Sequence, residues 1–80
     1  MINELKGNKY YIGFIIKKLR QSNKMTQVQL SAKSGVSNSY LSRLESGEEI
    51  NISINKLYKL SGALEVEVDE IVKLVDFKMI

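Results

Sequence analysis

No cysteine, histidine, tryptophan or proline occurs in the 80 residues of this chain. Without cysteine there is no disulfide framework, no thiol nucleophile and no zinc or iron–sulfur site built on sulfur. Without histidine the commonest general base and the commonest metal ligand are missing. No cofactor or metal is expected, and an enzyme is a poor reading, because carboxylates cluster only in the acidic tail. No apolar run reaches the roughly 18–20 residues that span a bilayer. The start Met1-Ile2-Asn3-Glu4-Leu5-Lys6 is not followed by the apolar stretch of a signal peptide. A cytoplasmic chain with no membrane contact is expected. The length allows a single domain, residues 1–80. So short a chain buries only about 60–65% of its unfolded surface, so oligomerisation would help it.

What is present is an ordinary folded composition, 44% hydrophobic and 26% charged. The net charge of +3 hides an asymmetry. Residues 1–24 carry six basic side chains against Glu4, and residues 65–80 carry five acidic ones against Lys73 and Lys78. A basic end attracts polyanions and an acidic end repels them, although charge of either sign can also be plain solvated surface.

Apolar periodicity places the helices. Ile12, Ile15, Ile16 and Leu19 form one stripe, with Lys17, Lys18 and Arg20 off it. Residues 1–10 show no such period and read as an extended or frayed N-terminal arm. Thr26 can cap a second helix, with Gln29 completing a capping box. Gly35 stops that helix by entering the left-handed region. Ser37 can cap a third helix, which carries Leu41 and Leu44 inward and stops at Gly47. Two short helices joined by so short a turn cannot lie antiparallel; they cross steeply, as in a helix-turn-helix. Ser53 can cap a fourth helix with Ile54, Leu57, Leu60 and Leu64 apolar. Leu64 to Val68 alternates like a strand but has no partner strand, so a connector is expected. A fifth helix is expected from Asp69 to about Val75. The reading is all-α with five helices.

The string Ser39-Tyr40-Leu41-Ser42-Arg43-Leu44-Glu45, with Thr26-Gln27 and Gly35-Val36-Ser37 before it, resembles the helix-turn-helix of the phage repressor and Cro family, also called the xenobiotic-response-element family. The resemblance runs from Ile12-Gly13 to Ile71. Asn51-Ile52-Ser53-Ile54 is similar to the sporulation-inhibitor-type and restriction-controller subgroups. It implies a five-helix, lambda-repressor-like DNA-binding domain with the helix-turn-helix at helices 2 and 3. Ser31 stands where alanine is usual and Ile52 where proline is common. Glu48 and Glu49 stand in a loop that is often basic, which argues against phosphate contact there.

The resemblance also implies roles. The third helix would enter the major groove with its first residues, Ser37, Asn38 and Ser39, leading. Asn38 can pair with adenine, Ser37 and Ser39 with almost any base, and Arg43 with guanine O6 and N7. The plainer readings are an N-cap for Ser37 and an exposed cation for Arg43. Gln27, at the start of the second helix, would reach a phosphate or brace Asn38. Tyr40 would either touch the phosphate backbone or pack on a neighbouring helix. Arg20 and Glu45 are expected to pair as structural residues.

The tail is also informative. Ile71, Val72, Leu74, Val75, Phe77, Met79 and Ile80 exceed what one small core should need. The segment 69–80 is therefore a candidate homodimer contact. The expected partners are a double-stranded DNA operator and a second copy of the chain, with no small-molecule ligand evident. The function expected is a sequence-specific DNA-binding transcriptional regulator, a repressor first, acting by promoter occlusion or polymerase recruitment. The rival is a protein-interaction module on the same fold: an antitoxin, an antirepressor or a coactivator.

Overall fold

The computed structural model describes Leu5 and residues 7–77, and five helices are bounded within them, with no strand. They are α1 (Ile12–Ser22), α2 (Gln27–Ser34), α3 (Asn38–Ser46), α4 (Ile54–Leu64) and α5 (Val68–Val72). The first stripe is buried as its spacing predicts, with Ile12, Ile15, Ile16 and Leu19 in the core. Leu30, Leu41, Leu44, Leu60 and Leu64 meet them there. Among the described residues no buried side-chain nitrogen or oxygen lacks a partner. No helix among them is long and apolar enough to cross a membrane.

Local signals set the helix ends. Thr26 Oγ1 accepts from the Gln29 N–H at 3.0 Å, and the Thr26 N–H donates back to Gln29 Oε1 at 2.8 Å. This is the expected capping box. Gly35 follows with φ +79°, a conformation that glycine adopts without a Cβ clash. Ser37 and Ser53 each accept from the N–H three residues on, capping α3 and α4. Glu65 takes φ +58° at the end of α4, so the alternating stretch that follows is a connector.

Helix α1 lies against α3, and α2 packs on both α3 and α4. The α1–α3 crossing is a backbone contact. A Cβ built on Gly13 would lie 1.6 Å from the Leu44 carbonyl oxygen. Only glycine lets the two helices approach this closely.

Three expectations about elements change. Ile54 is 63% exposed although it begins the α4 stripe, because the stripe turns inward only from Leu57. The fifth helix is Val68–Val72 rather than one reaching Val75. The tail's apolar residues are largely absorbed: Ile71, Leu74 and Val75 are all buried in the core, while Phe77 is 61% exposed. Met79 and Ile80 lie outside the described residues. At the other end, Leu5 is buried and Tyr10 pairs with Val75, giving its N–H to the Leu74 carbonyl at 2.8 Å. The Asp76 N–H donates to the Tyr10 carbonyl, also at 2.8 Å. Tyr10 is thus tied to residues 74–76.

Candidate nucleic-acid interface

Helix α3 has two faces of opposite character. Tyr40, Leu41, Leu44 and Glu45 are buried, and Asn38, Ser39, Ser42, Arg43 and Ser46 are exposed. Its inward side chains hold it in the core, so its outward face is presented on a rigid support. Ser37, Asn38, Ser39 and Arg43 all stand on that outer surface. The Ser37 hydroxyl oxygen caps the helix by accepting from the Tyr40 N–H at 3.2 Å. An oxygen accepting one bond can still donate its own proton.

Gln27 and Tyr40 are placed differently. The Gln27 amide donates to Glu45 Oε1 at 3.0 Å, so it braces the end of α3 and not Asn38. Tyr40 is 7% exposed, and its hydroxyl donates to the Asn51 carbonyl at 2.8 Å. Burial holds this phenol above its ordinary value, with Glu49 adding to the rise and Arg43 opposing it. The packing alternative for Tyr40 is therefore the one the geometry favours.

Glu45 is the hub beneath the interface. Arg20 Nε and a terminal guanidinium nitrogen each reach one of its oxygens at 2.8 Å, a two-pronged pair. The third prong of Arg20 donates to the Met25 carbonyl at 2.7 Å. The side chains are 12% and 3% exposed. The Glu45 hydrogen bond raises the Arg20 pKa, partly opposed by burial. Helices α1, α2 and α3 are thereby locked together where α3 meets the turn before α2.

Two contributors escaped the sequence reading. Tyr11 donates its hydroxyl to the Glu45 carbonyl at 3.1 Å. Lys56 of α4 sets its ammonium 4.0 Å from the centre of the Tyr40 ring. Arg43 lies 6.0 Å from the same ring, so two cations attend the first turns of α3. No periodic or motif signal links Tyr11 to Glu45 or Lys56 to Tyr40, which meet only through tertiary packing, whereas Arg43 and Tyr40 are helical neighbours at i and i+3. The loop acids also separate. Glu49 is half-buried and accepts from the Asn51 N–H at 3.0 Å, so its charge serves the loop, while Glu48 is exposed. Among the described residues no group of acidic side chains is arranged to hold a metal ion.

The helix-turn-helix family pattern matches residues 16–71. The chain belongs to the Cro/C1-type helix-turn-helix family. It is 45% identical over 60 residues to the HTH-type transcriptional regulator SlrR of Bacillus subtilis (strain 168), covering 75% of this chain and 40% of that protein. It is 41% identical over 61 residues to the immunity repressor protein of Bacillus phage phi105, covering 76% and 42%. The chain thus spans about two fifths of the length of these curated relatives. Among solved structures it resembles SinR, the master regulator for biofilm formation, in complex with DNA. The TM-score is 0.74 and the identity 38%, covering 76% of this chain and 97% of that one. It also resembles the SinR/SinI protein complex, with a TM-score of 0.73 and 34% identity, covering 84% and 69%. The lambda-repressor-like all-α fold is shared with these structures.

Proposed function

We propose that this chain is a sequence-specific double-stranded DNA-binding regulator that reads the major groove with α3. The observation that carries this reading is the outward face of α3. Asn38, Ser39 and Arg43 are exposed on a helix whose opposite face is sealed into the core. A helix of this kind fits the major groove, where base edges differ in donor and acceptor pattern. Asn38 and Arg43 supply bidentate readout, and Ser37 and Ser39 supply adaptable hydroxyls. Gln27 and Tyr40 act from behind, by holding α3 in place. Repression is the outcome supported by the relative named an immunity repressor, and DNA binding by the structure of SinR in complex with DNA.

The chain binds as a homodimer on a two-fold operator, with half-sites about 34 Å apart. It works in the cytoplasm and is a binding domain, not an enzyme. The rival interaction module is supported by the acidic loop after α3 through the exposed Glu48 alone, since the Glu49 carboxylate serves the loop by accepting from the Asn51 N–H. Selection from a random duplex pool, followed by binding at two salt concentrations, tests the proposal. An enriched sequence whose affinity falls steeply with salt is the expected result. No enrichment, with affinity for no duplex, would assign the chain to the interaction modules.

A further inference from the structure

Two open apolar hollows mark the described surface. One lies at the N-terminal end of α4, between Ile54, Leu57 and Phe77, and nothing in the structure shows what covers it. The other is a groove of about 570 Å³ between the C-terminal half of α4 and α5. Val66, Val68 and Val72 line it, half-buried against the core. Tyr58 is another lining residue and is 61% exposed. Gly62 leaves bare backbone in the wall, and a Cβ there would meet nothing within 4 Å. Glu67 and Asp69 line the same groove, and no lysine or arginine does. Lys73 approaches Asp69 at 4.0 Å, but that pair is more than 70% exposed on both sides and is screened.

We propose that this groove docks a short amphipathic helix from another protein, with aliphatic side chains set over the valines and Lys or Arg beside Glu67 and Asp69. The apolar lining calls for apolar anchors, and the bare Gly62 backbone permits close approach. The carboxylates select cations and repel a duplex or an acidic partner. A two-fold contact centred on this groove would set Glu67 and Asp69 against the same acids, so self-association of groove on groove is disfavoured. The chain's own basic helix α1 is no rival ligand, because its apolar stripe is already in the core. Ser61 and Gly62 lie roughly 10 Å along α4 from the end beside α3. The groove shares no lining residue with the outward face of α3. Docking here does not depend on the DNA reading.

The test uses the full chain, labelled for amide NMR. An amphipathic Leu/Lys helical peptide is titrated in, and then a Leu/Glu peptide of the same pattern. The expected result is saturable binding of the Leu/Lys peptide with shifts centred on Gly62, Val66 and Val68. The Leu/Glu peptide should bind at least about tenfold more weakly. Gly62→Leu, which fills the groove, should abolish binding. Joint Glu67→Lys and Asp69→Lys substitution should reverse the preference between peptides. Equal binding of both peptides would overturn the proposal, as would shifts centred on Ile54 and Phe77 or no saturable binding. Groove shifts that grow with protein concentration alone would assign the groove to a second copy instead.

Discussion

Arg43 and Glu45 stand two positions apart on α3 and do opposite work. Arg43 is exposed, and its guanidinium only leans toward the Tyr40 ring. Arg43→Ala should therefore leave the melting temperature nearly unchanged and relax preference at one base of each half-site, worth about 1–3 kcal/mol. A base-by-base affinity scan checks this, and a uniform loss at every base would argue for phosphate contact. Glu45 is 3% exposed at its side chain and serves both Arg20 and Gln27. Glu45→Ala leaves the partly exposed Arg20 guanidinium with the Met25 carbonyl alone, and about 1–3 kcal/mol of stability should go, less than for a fully buried pair, read by urea denaturation. Tyr40 adds a pH signature. Its folded pKa lies above the ordinary 10.0, so its contribution is fully present below pH 10 and is lost as pH rises through the folded value. Tyr40→Phe should flatten the fall of stability above pH 10 and cost about 0.5–1.5 kcal/mol at neutral pH.

At the scale of elements, the positions of α1 and α3 rest on one missing side chain. Gly13 brings α1 onto the Leu44 carbonyl, and any Cβ must push the two helices apart. Gly13→Ala should cost about 1–3 kcal/mol or more by overpacking, and should weaken DNA binding because α3 is displaced. Calorimetry and a binding titration on the same sample check both effects. An unchanged melting temperature would mean that the crossing is soft. The capping signals were legible at this scale: Thr26 with Gln29, Gly35, Ser37 and Ser53 all act as their local chemistry dictates. The α4 stripe was legible from Leu57 on but not at Ile54. Periodicity assigns a residue to a face and cannot say whether a neighbour covers that end of the helix.

For the whole molecule, the distribution of apolar residues bears on assembly. Truncating residues 69–80 would remove Ile71, Leu74 and Val75 from the core and so unfold the domain rather than merely separate subunits. Among the described residues, Phe77 and Ile54 are uncovered large side chains that share one hollow, while the exposed Tyr58 lies in the α4–α5 groove. Joint Phe77→Ser and Ile54→Ser substitution should halve the sedimenting mass of the proposed dimer while the circular dichroism stays helical. An unchanged mass would place the subunit contact elsewhere. The charge asymmetry also takes a position in space, since Glu67 and Asp69 line the α4–α5 groove, which shares no residue with the outward face of α3. An electrostatically steered approach to DNA, strongest at low salt, is then repelled at that groove.

Helix spacing, caps and the stop glycines are local properties, set within a few residues, and so the amino-acid sequence by itself determined five helices and a three-residue turn between α2 and α3. It also placed Ser39 and Arg43, four residues apart, on the side of α3 away from Leu41 and Leu44, whereas Asn38 stands three residues from Leu41 and its exposure at the first turn is a tertiary result. The tertiary structure alone decided what those helices touch. It turned Gln27 to Glu45 and Tyr40 to Asn51 and set Lys56 over the Tyr40 ring. It also drew the tail into the core, pairing Val75 with Tyr10. The reason is physical: such contacts join residues far apart in the chain, and their partners exist only once the helices have crossed.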